Sequence, residues 1–364
     1  MIIDFANLGL AYQEHKKDID KAMSNVIDNS SFIMGPIVSE LEERLSNFVG
    51  VRHSITCASG TDALLLAMMA LDIKPDDEII TTPFTFIATA ETIAFLKAKP
   101  VFVDIDEQTY NIDTSKIEAA ITNKTKAIIP VSLFGQTANM DGINNIAKKH
   151  NLIVIEDAAQ SFGASYKGIK SCNLSHIGCT SFFPAKPLGC FGDGGAVFTN
   201  NDEIATKLRS LRLHGQTKRY YHKYIGMGGR LDALQAAVLN EKLKHYDYDI
   251  ERRQQIAENY SEKLKGHTII PIIKNDRTSV WAQYSIRVKN RETIQEALKL
   301  LNIPTAVHYP VSLHLQECFN YLGGKIGDFP ISEKISKEIM SLPMNPYLKE
   351  HEINYITSNL INLL

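Results

Sequence analysis

Between His53 and Asp157 the chain alternates repeatedly between short apolar runs and amphipathic stretches. Ile55-Thr56-Cys57-Ala58, Glu78 to Thr82, Val101-Phe102-Val103, Ala127 to Val131 and Leu152 to Asp157 have the length and composition of strands. Helical stretches separate them, from Ser59 to Leu71, from about Ala88 to Lys97, near Ser115 to Ile121, and from Asp141 to His150. Parallel strands need a long crossover, and a helix is the usual one. The alternation therefore predicts an α/β fold whose mostly parallel central sheet is sandwiched by helices.

Around this centre the pattern changes. Asp18 to about Phe48 reads as two helices broken at Met34-Gly35-Pro36, with Val38, Leu41, Leu45 and Phe48 at helical spacing. After Gly195 come a strand (Ala196 to Thr199) and a helix (Asp202 to Leu213). A polar, glycine- and tyrosine-rich stretch follows from His214 to Arg230, then helices over Asp232 to Leu243 and Arg252 to Leu264. The remainder reads as a smaller α+β unit. At 364 residues the chain exceeds the size at which one core stops growing. The expected division is a large domain with an N-terminal helical arm over 1–245 and a small C-terminal domain over 246–364.

Several function classes are disfavoured. The 39 basic and 41 acidic residues leave a net charge of -2, without a basic stripe for nucleic acid or a membrane surface. The N-terminus lacks the pattern of a signal peptide, and no run is long enough to span a bilayer. The five cysteines are odd in number and form no Cys-x-x-Cys pair, which fits packed thiols in a reducing cytoplasm and no structural metal. Neither Gly-x-x-x-x-Gly-Lys nor Gly-x-Gly-x-x-Gly occurs near the first strand–helix turns, so a nucleoside triphosphate or dinucleotide site is unsupported.

The residues with chemical promise lie at strand ends. Lys186 stands in Ser181-Phe182-Phe183-Pro184-Ala185-Lys186-Pro187-Leu188-Gly189, a largely apolar run followed by a glycine-rich loop. Poor solvation there would disfavour its ammonium and free the amine as a nucleophile; a lysine snorkelling to the surface is the other reading. Ser59-Gly60-Thr61, between strand and helix, either cradles an anion such as phosphate or simply caps the helix. Asp157 ends an apolar strand, where a carboxylate is costly to bury without a facing cation such as a protonated pyridine nitrogen. Its neighbour Glu156 is equally well read as a cap. Phe86 offers a flat ring to a cofactor face or belongs to the core, and Ser181 adds a hydroxyl. Arg230, His308 and Tyr309 carry no local signal beyond their type.

Taken together, these pieces resemble the pyridoxal-phosphate-dependent sugar-nucleotide aminotransferases of fold type I, over essentially the whole chain. The resemblance rests on Ala58-Ser59-Gly60-Thr61-Asp62-Ala63, Thr82-Pro83-Phe84-Thr85-Phe86-Ile87-Ala88-Thr89, Pro100-Val101-Phe102-Val103-Asp104-Ile105-Asp106 and Val131-Ser132-Leu133-Phe134-Gly135-Gln136. It continues in Glu156-Asp157-Ala158-Ala159-Gln160-Ser161-Phe162-Gly163-Ala164, Ser181 to Lys186, Arg230-Leu231-Asp232, Gln235-Ala236-Ala237, His308-Tyr309-Pro310 and Ser341-Leu342-Pro343-Met344. Ser171-Cys172-Asn173-Leu174-Ser175 and Pro187-Leu188-Gly189-Cys190 look like the branch acting on UDP-2-acetamido-2-deoxy-3-oxo-glucuronate.

The resemblance implies a role for each candidate. Lys186 would anchor pyridoxal 5'-phosphate covalently and shuttle a proton; Asp157 would pair with the ring nitrogen, Gln160 would reach the ring hydroxyl and Phe86 would stack on the ring. Gly60, Thr61 and Ser181 would hold the phosphate. Arg230, His308 and Tyr309 would face the sugar nucleotide. The implied partners are L-glutamate, a UDP-linked keto-sugar and a second copy of the chain in a homodimer with shared sites. Alternatives are a 3- or 4-keto-6-deoxyhexose on dTDP or UDP, and a non-catalytic regulator on the same fold. A dehydratase would have histidine at Lys186. One departure from the family stands out: an asparagine usual two residues before the arginine is here Gly228.

Overall fold

Asn7 opens the first helix, its side-chain oxygen accepting from the Leu10 amide at 3.3 Å, and α1 runs Leu8–Asp28. The structure, a computed structural model, describes residues 1–364. Helix α1 begins ten residues before the expected Asp18 because it is mostly polar. Only Ile19 and Val26 of it are buried, too few for a helical period to show. Helix α2 (Pro36–Val49) starts with proline in its first turn and stops on left-handed Gly50, so the break at Met34-Gly35-Pro36 stands where the sequence places it.

The next strands are β1 (His53–Cys57), β2 (Glu78–Thr81), β3 (Lys99–Phe102), β4 (Thr125–Ile128) and β5 (Ile153–Asp157). A short hairpin follows, β6 (Ser165–Tyr166) and β7 (Ile169–Lys170), then β8 (Ile177–Ser181) and β9 (Gly195–Thr199). Seven of these form one sheet in the order β1-β9-β8-β5-β4-β2-β3. Strand β9 runs antiparallel to both its neighbours, while the remaining pairs are parallel. The expected fold class holds, with one reversed strand. Strand β8 escapes the sequence reading because its apolar side chains are only Ile177 and Cys179, either side of Gly178.

Adjacent residues on each strand enter different cores. Ile79, Ala127 and Ile155 pack with α3 (Gly60–Ala70), α4 (Ala88–Phe95) and α7 (Asp202–Leu211) on one face. Ile80, Ile128 and Val154 pack beneath the short α5 (Thr114–Ile117) and α6 (Met140–His150) on the other. Burial on both faces explains why these strands read as continuous apolar runs. All five cysteines are free thiols, four of them buried and Cys318 exposed.

The polar stretch from His214 forms an exposed hairpin, β10 (Gln216–Lys218) and β11 (Tyr221–His222). Helix α8 (Ala233–Leu243) then packs on α1 and α2, and α9 (Tyr246–Leu264) leaves for the second unit. That unit holds β12 (Tyr284–Arg287), α10 (Arg291–Leu300), α11 (Pro330–Glu338), β13 (Ile339–Leu342) and α12 (Glu350–Ile361). Its core joins Ile256, Tyr260, Leu264, Tyr284, Ile286, Met340 and Ile356 with Ile3 from the far end of the chain. Tyr246, in the first turn of α9, belongs instead to the core around Phe162 and Phe182. The expected boundary at 245/246 thus falls at the start of a helix that both cores share. No helix is long and apolar enough to cross a membrane.

Candidate active site

The carboxyl ends of β5 and β8 and the start of α3 meet at a cavity of about 500 Å³. Ligands bind at such strand ends in open α/β sheets. Gly60, Thr61, Phe86, Asp157, Gln160, Ser181, Lys186, His308 and Tyr309 all line it. Arg230 does not. It follows Gly229, whose carbonyl accepts from the Ala58 amide at 3.1 Å, which places the backbone before it beside the turn that leads into α3.

Asp157 is buried. Its Oδ2 accepts from the Thr89 hydroxyl at 2.8 Å and its Oδ1 from the Ala159 amide at 3.2 Å. Burial raises its pKa, and these two donors together with the charge of Lys186 oppose the rise. Burial lowers the pKa of Lys186, partly offset by Asp157. The two groups therefore sustain each other's charge. Glu156, next in line, faces elsewhere: it accepts from Ser132 at 3.0 Å, Ser171 at 2.6 Å and the Cys172 amide at 2.8 Å. Those bonds make Glu156 an internal tie rather than a cavity group.

Gln160 is held at both ends. Its Oε1 accepts from the Phe134 amide at 2.8 Å and its Nε2 donates to the Tyr309 hydroxyl at 3.0 Å. Phe86 is 54% exposed, with its ring centroid 6.0 Å from that of Tyr309. Burial, reinforced by the charge of Lys186, lowers the His308 pKa to about 4, so the imidazole is neutral at physiological pH.

At the start of α3 the Ser59 hydroxyl accepts from the Asp62 amide at 3.0 Å. The cap reading of this motif is thus met by Ser59. The amides of Gly60 and Thr61 have no partner in the chain and remain free for an anion. Gly60 is required by close approach, since a Cβ there would lie 2.5 Å from Cβ of Ser181. Gly228 is less confined: a Cβ would stand 3.0 Å from Cε1 of His214, so a side chain there requires that ring to shift slightly.

Sequence reasoning missed other lining groups, among them Thr85, Thr89, Asp193 and Gln283. Thr89 lies in a quoted motif and only the fold shows that it orients Asp157. Gln283, whose buried Oε1 has no partner, comes from the turn-rich small unit and carries no signal of its own.

A sequence model for the DegT/DnrJ/EryC1/StrS aminotransferase family matches residues 13–361. The chain belongs to that family. A UDP-2-acetamido-2-deoxy-3-oxo-D-glucuronate aminotransferase of Pseudomonas aeruginosa is 51% identical over 99% of this chain and 100% of its own. A Geobacillus stearothermophilus protein described as a pleiotropic regulatory protein is 45% identical over 99% of this chain and 98% of its own. The solved DesV of S. venezuelae superposes with a TM-score of 0.98 at 35% identity, covering 100% of this chain and 98% of that one. DegT/DnrJ/EryC1/StrS aminotransferases use pyridoxal phosphate, and this protein is a pyridoxal-phosphate-dependent aminotransferase.

The residues present fit that cofactor. The cavity is of small-molecule size, Lys186 supplies an amine of depressed basicity, Asp157 a buried carboxylate, and the free amides beside Gly60 an anion cradle.

Proposed function

We propose that the protein transfers an amino group from L-glutamate to the keto carbon of UDP-2-acetamido-2-deoxy-3-oxo-D-glucuronate, giving a 3-amino sugar for cell-surface polysaccharide. One observation carries the reading: the cavity holds a single lysine, Lys186, buried with the carboxylate of Asp157. The likeness to the Pseudomonas aeruginosa enzyme supports the substrate.

When bound, pyridoxal phosphate supplies the electron sink that lets a Cα–H bond break. Lys186 would hold it through Nζ, and that nitrogen would accept the proton leaving the donor carbon in one half-reaction and deliver a proton to the acceptor carbon in the other. Asp157, steadied by Thr89 and Ala159, keeps a proton on the ring nitrogen. Gln160 holds the ring hydroxyl and Phe86 covers the ring. Thr61, Ser181 and the amide of Gly60 take the phosphate. Arg230, His308 and Tyr309 receive the sugar nucleotide.

Charge supports a homodimer. The cavity lining carries one cation, Lys186, against the carboxylates of Asp157 and Asp193. A uronic acid on UDP brings several more negative charges. Arg230 and the exposed hairpin of a second copy, with Lys218, Arg219 and Lys223, are the cations we infer to meet them. We place the enzyme in the cytoplasm and divide it functionally at 245/246.

Two experiments test the reading. L-Glutamate added alone should remove the yellow absorbance of the lysine-bound cofactor, and Lys186→Ala should be folded, colourless and inactive. A spectrum unmoved by glutamate would leave a regulatory role in its place. The acceptor is tested with keto-sugar nucleotides: turnover with 3- or 4-keto-6-deoxyhexoses on dTDP or UDP, but not with the uronate, replaces the substrate while keeping the reaction.

A further inference from the structure

Strand register brings two serines together behind His308. In the antiparallel β12–β13 ladder Ser285 stands directly opposite Ser341, and Ala306 bridges to Ser341 from the other side. The segment leading into His308 thus runs beside the same residue. The hydroxyl oxygens of Ser285 and Ser341 are 2.9 Å apart, and the Ser341 oxygen is 2.9 Å from Nδ1 of His308. The serines are 1% and 0% exposed.

The protons in this row can be counted. Three atoms, Ser285 Oγ, Ser341 Oγ and His308 Nδ1, make two hydrogen bonds, and neither hydroxyl has another partner in the chain. If Nδ1 carried the imidazole proton, it would donate to Ser341, and Ser341 would donate to Ser285. The Ser285 proton would then have no acceptor in the chain, and a buried donor left unpaired is costly. In the opposite sense Ser285 donates to Ser341, Ser341 donates to Nδ1, and every proton is used. The neutral imidazole then carries its proton on Nε2. That nitrogen has no partner in the chain, and His308 lines the cavity of Lys186.

We propose that the Ser285–Ser341 pair fixes His308 as its Nε2–H tautomer, so that the imidazole offers the cavity a hydrogen-bond donor and not a base. Ser285 and Ser341 are positioning residues. The ligand group that meets His308 is an oxygen acceptor, such as a keto, hydroxyl, carboxylate or phosphate oxygen, and proton abstraction is left to Lys186. The choice of a sugar-nucleotide acceptor rests on the function proposed above; the tautomer does not.

The test is ¹⁵N spectroscopy of histidine-labelled holoenzyme, with His308→Gln identifying the resonance. Nδ1 should show the shift of an unprotonated, hydrogen-bonded nitrogen, with the proton on Nε2. Ser341→Ala, which removes the only partner of Nδ1, should release the constraint and produce a mixture of tautomers, whereas Ser285→Ala, which leaves Ser341 with Nδ1 as its one acceptor, should keep the single form. In kinetics, His308→Asn should raise the KM for the acceptor tenfold or more, and His308→Gln, whose amide can donate from near the Nε2 position, should raise it severalfold less than His308→Asn does. An Nδ1–H imidazole in the wild type, or a tautomer unchanged in Ser341→Ala, overturns the proposal. Both spectral outcomes are independent of which substrate the enzyme uses.

Discussion

At the residue scale, the site depends on what a few positions lack as well as on what they carry. Gly60 is not in a left-handed conformation; it is needed because α3 and the end of β8 touch there. Gly60→Ala should push α3 from Ser181, costing about 1–3 kcal/mol of stability and weakening cofactor binding, as read by thermal unfolding and cofactor titration. Gly9→Ala, in α1 with nothing within 4 Å of the added carbon, should leave cofactor binding unchanged and stability undiminished. Lys186 and Asp157 were legible because charged side chains in apolar runs at strand ends need a physical reason to be there. Ser341 and Gln283 were not, because a serine or glutamine announces nothing until the fold shows what it faces. Gly228 was legible only as a departure; the structure adds that His214 borders the space its side chain would need.

At the scale of elements, α8 grips the loop that presents Lys186. Gln235 accepts from the Phe191 amide at 2.8 Å, and Lys242, two turns along the same face, donates to the carbonyl of Gly189. The amphipathic pattern revealed α8 but not this clamp, because the two residues read as an ordinary polar flank. Burial depresses the Lys242 pKa to about 8, below the 10.5 of a free lysine. Between those values the unfolded chain binds the extra proton, so stability rises with pH through that window, and the cost of burying the charge is complete below about pH 8. Lys242→Met escapes that cost but loses the grip on Gly189. Its stability relative to wild type should therefore be most favourable at pH 7 and worsen steadily toward pH 10.5, measured by urea unfolding. Parallel pH curves for the two proteins would show that the lysine is not buried as a cation. Catalysis by the variant should fall at every pH, since the loop is less well held.

At the scale of the whole molecule, polar ties across the junction supplement the shared helix α9. Asp104, just after β3, accepts from the amides of Ile331 and Ser332 at 3.0 and 2.9 Å and from the Ser332 hydroxyl at 2.6 Å. It satisfies the start of α11 in the other unit, where a carboxylate is favoured by the free amides and the helix dipole. Arg287 adds an ion pair across the junction to Glu107 at 3.0 Å and is braced within its own unit by Glu338 at 2.7 Å. Asp104→Ala should cost about 2–3 kcal/mol by leaving those donors unpaired. It should also slow turnover, because α11 leads directly into β13 and Ser341. Denaturant unfolding and steady-state rates check both effects. The α/β class was legible from the alternating runs; the junction was not, because it joins residues far apart in sequence through groups that read locally as turn formers.

The place of Ile3 has a consequence for how the protein is made. Its amide donates to the Asn302 carbonyl at 3.3 Å, and its side chain is buried among residues as distant as Leu360. During synthesis Ile3 emerges long before the residues it packs against and cannot reach its place until they have left the ribosome. The sheet built from β1 to β9 can form before then, while the second core waits for segments more than three hundred residues apart. Removing the first five residues should therefore unsettle the last-made part of the molecule while sparing the first. Hydrogen exchange should show the loss of protection in α12 and β13, with β4 and β5 unaffected.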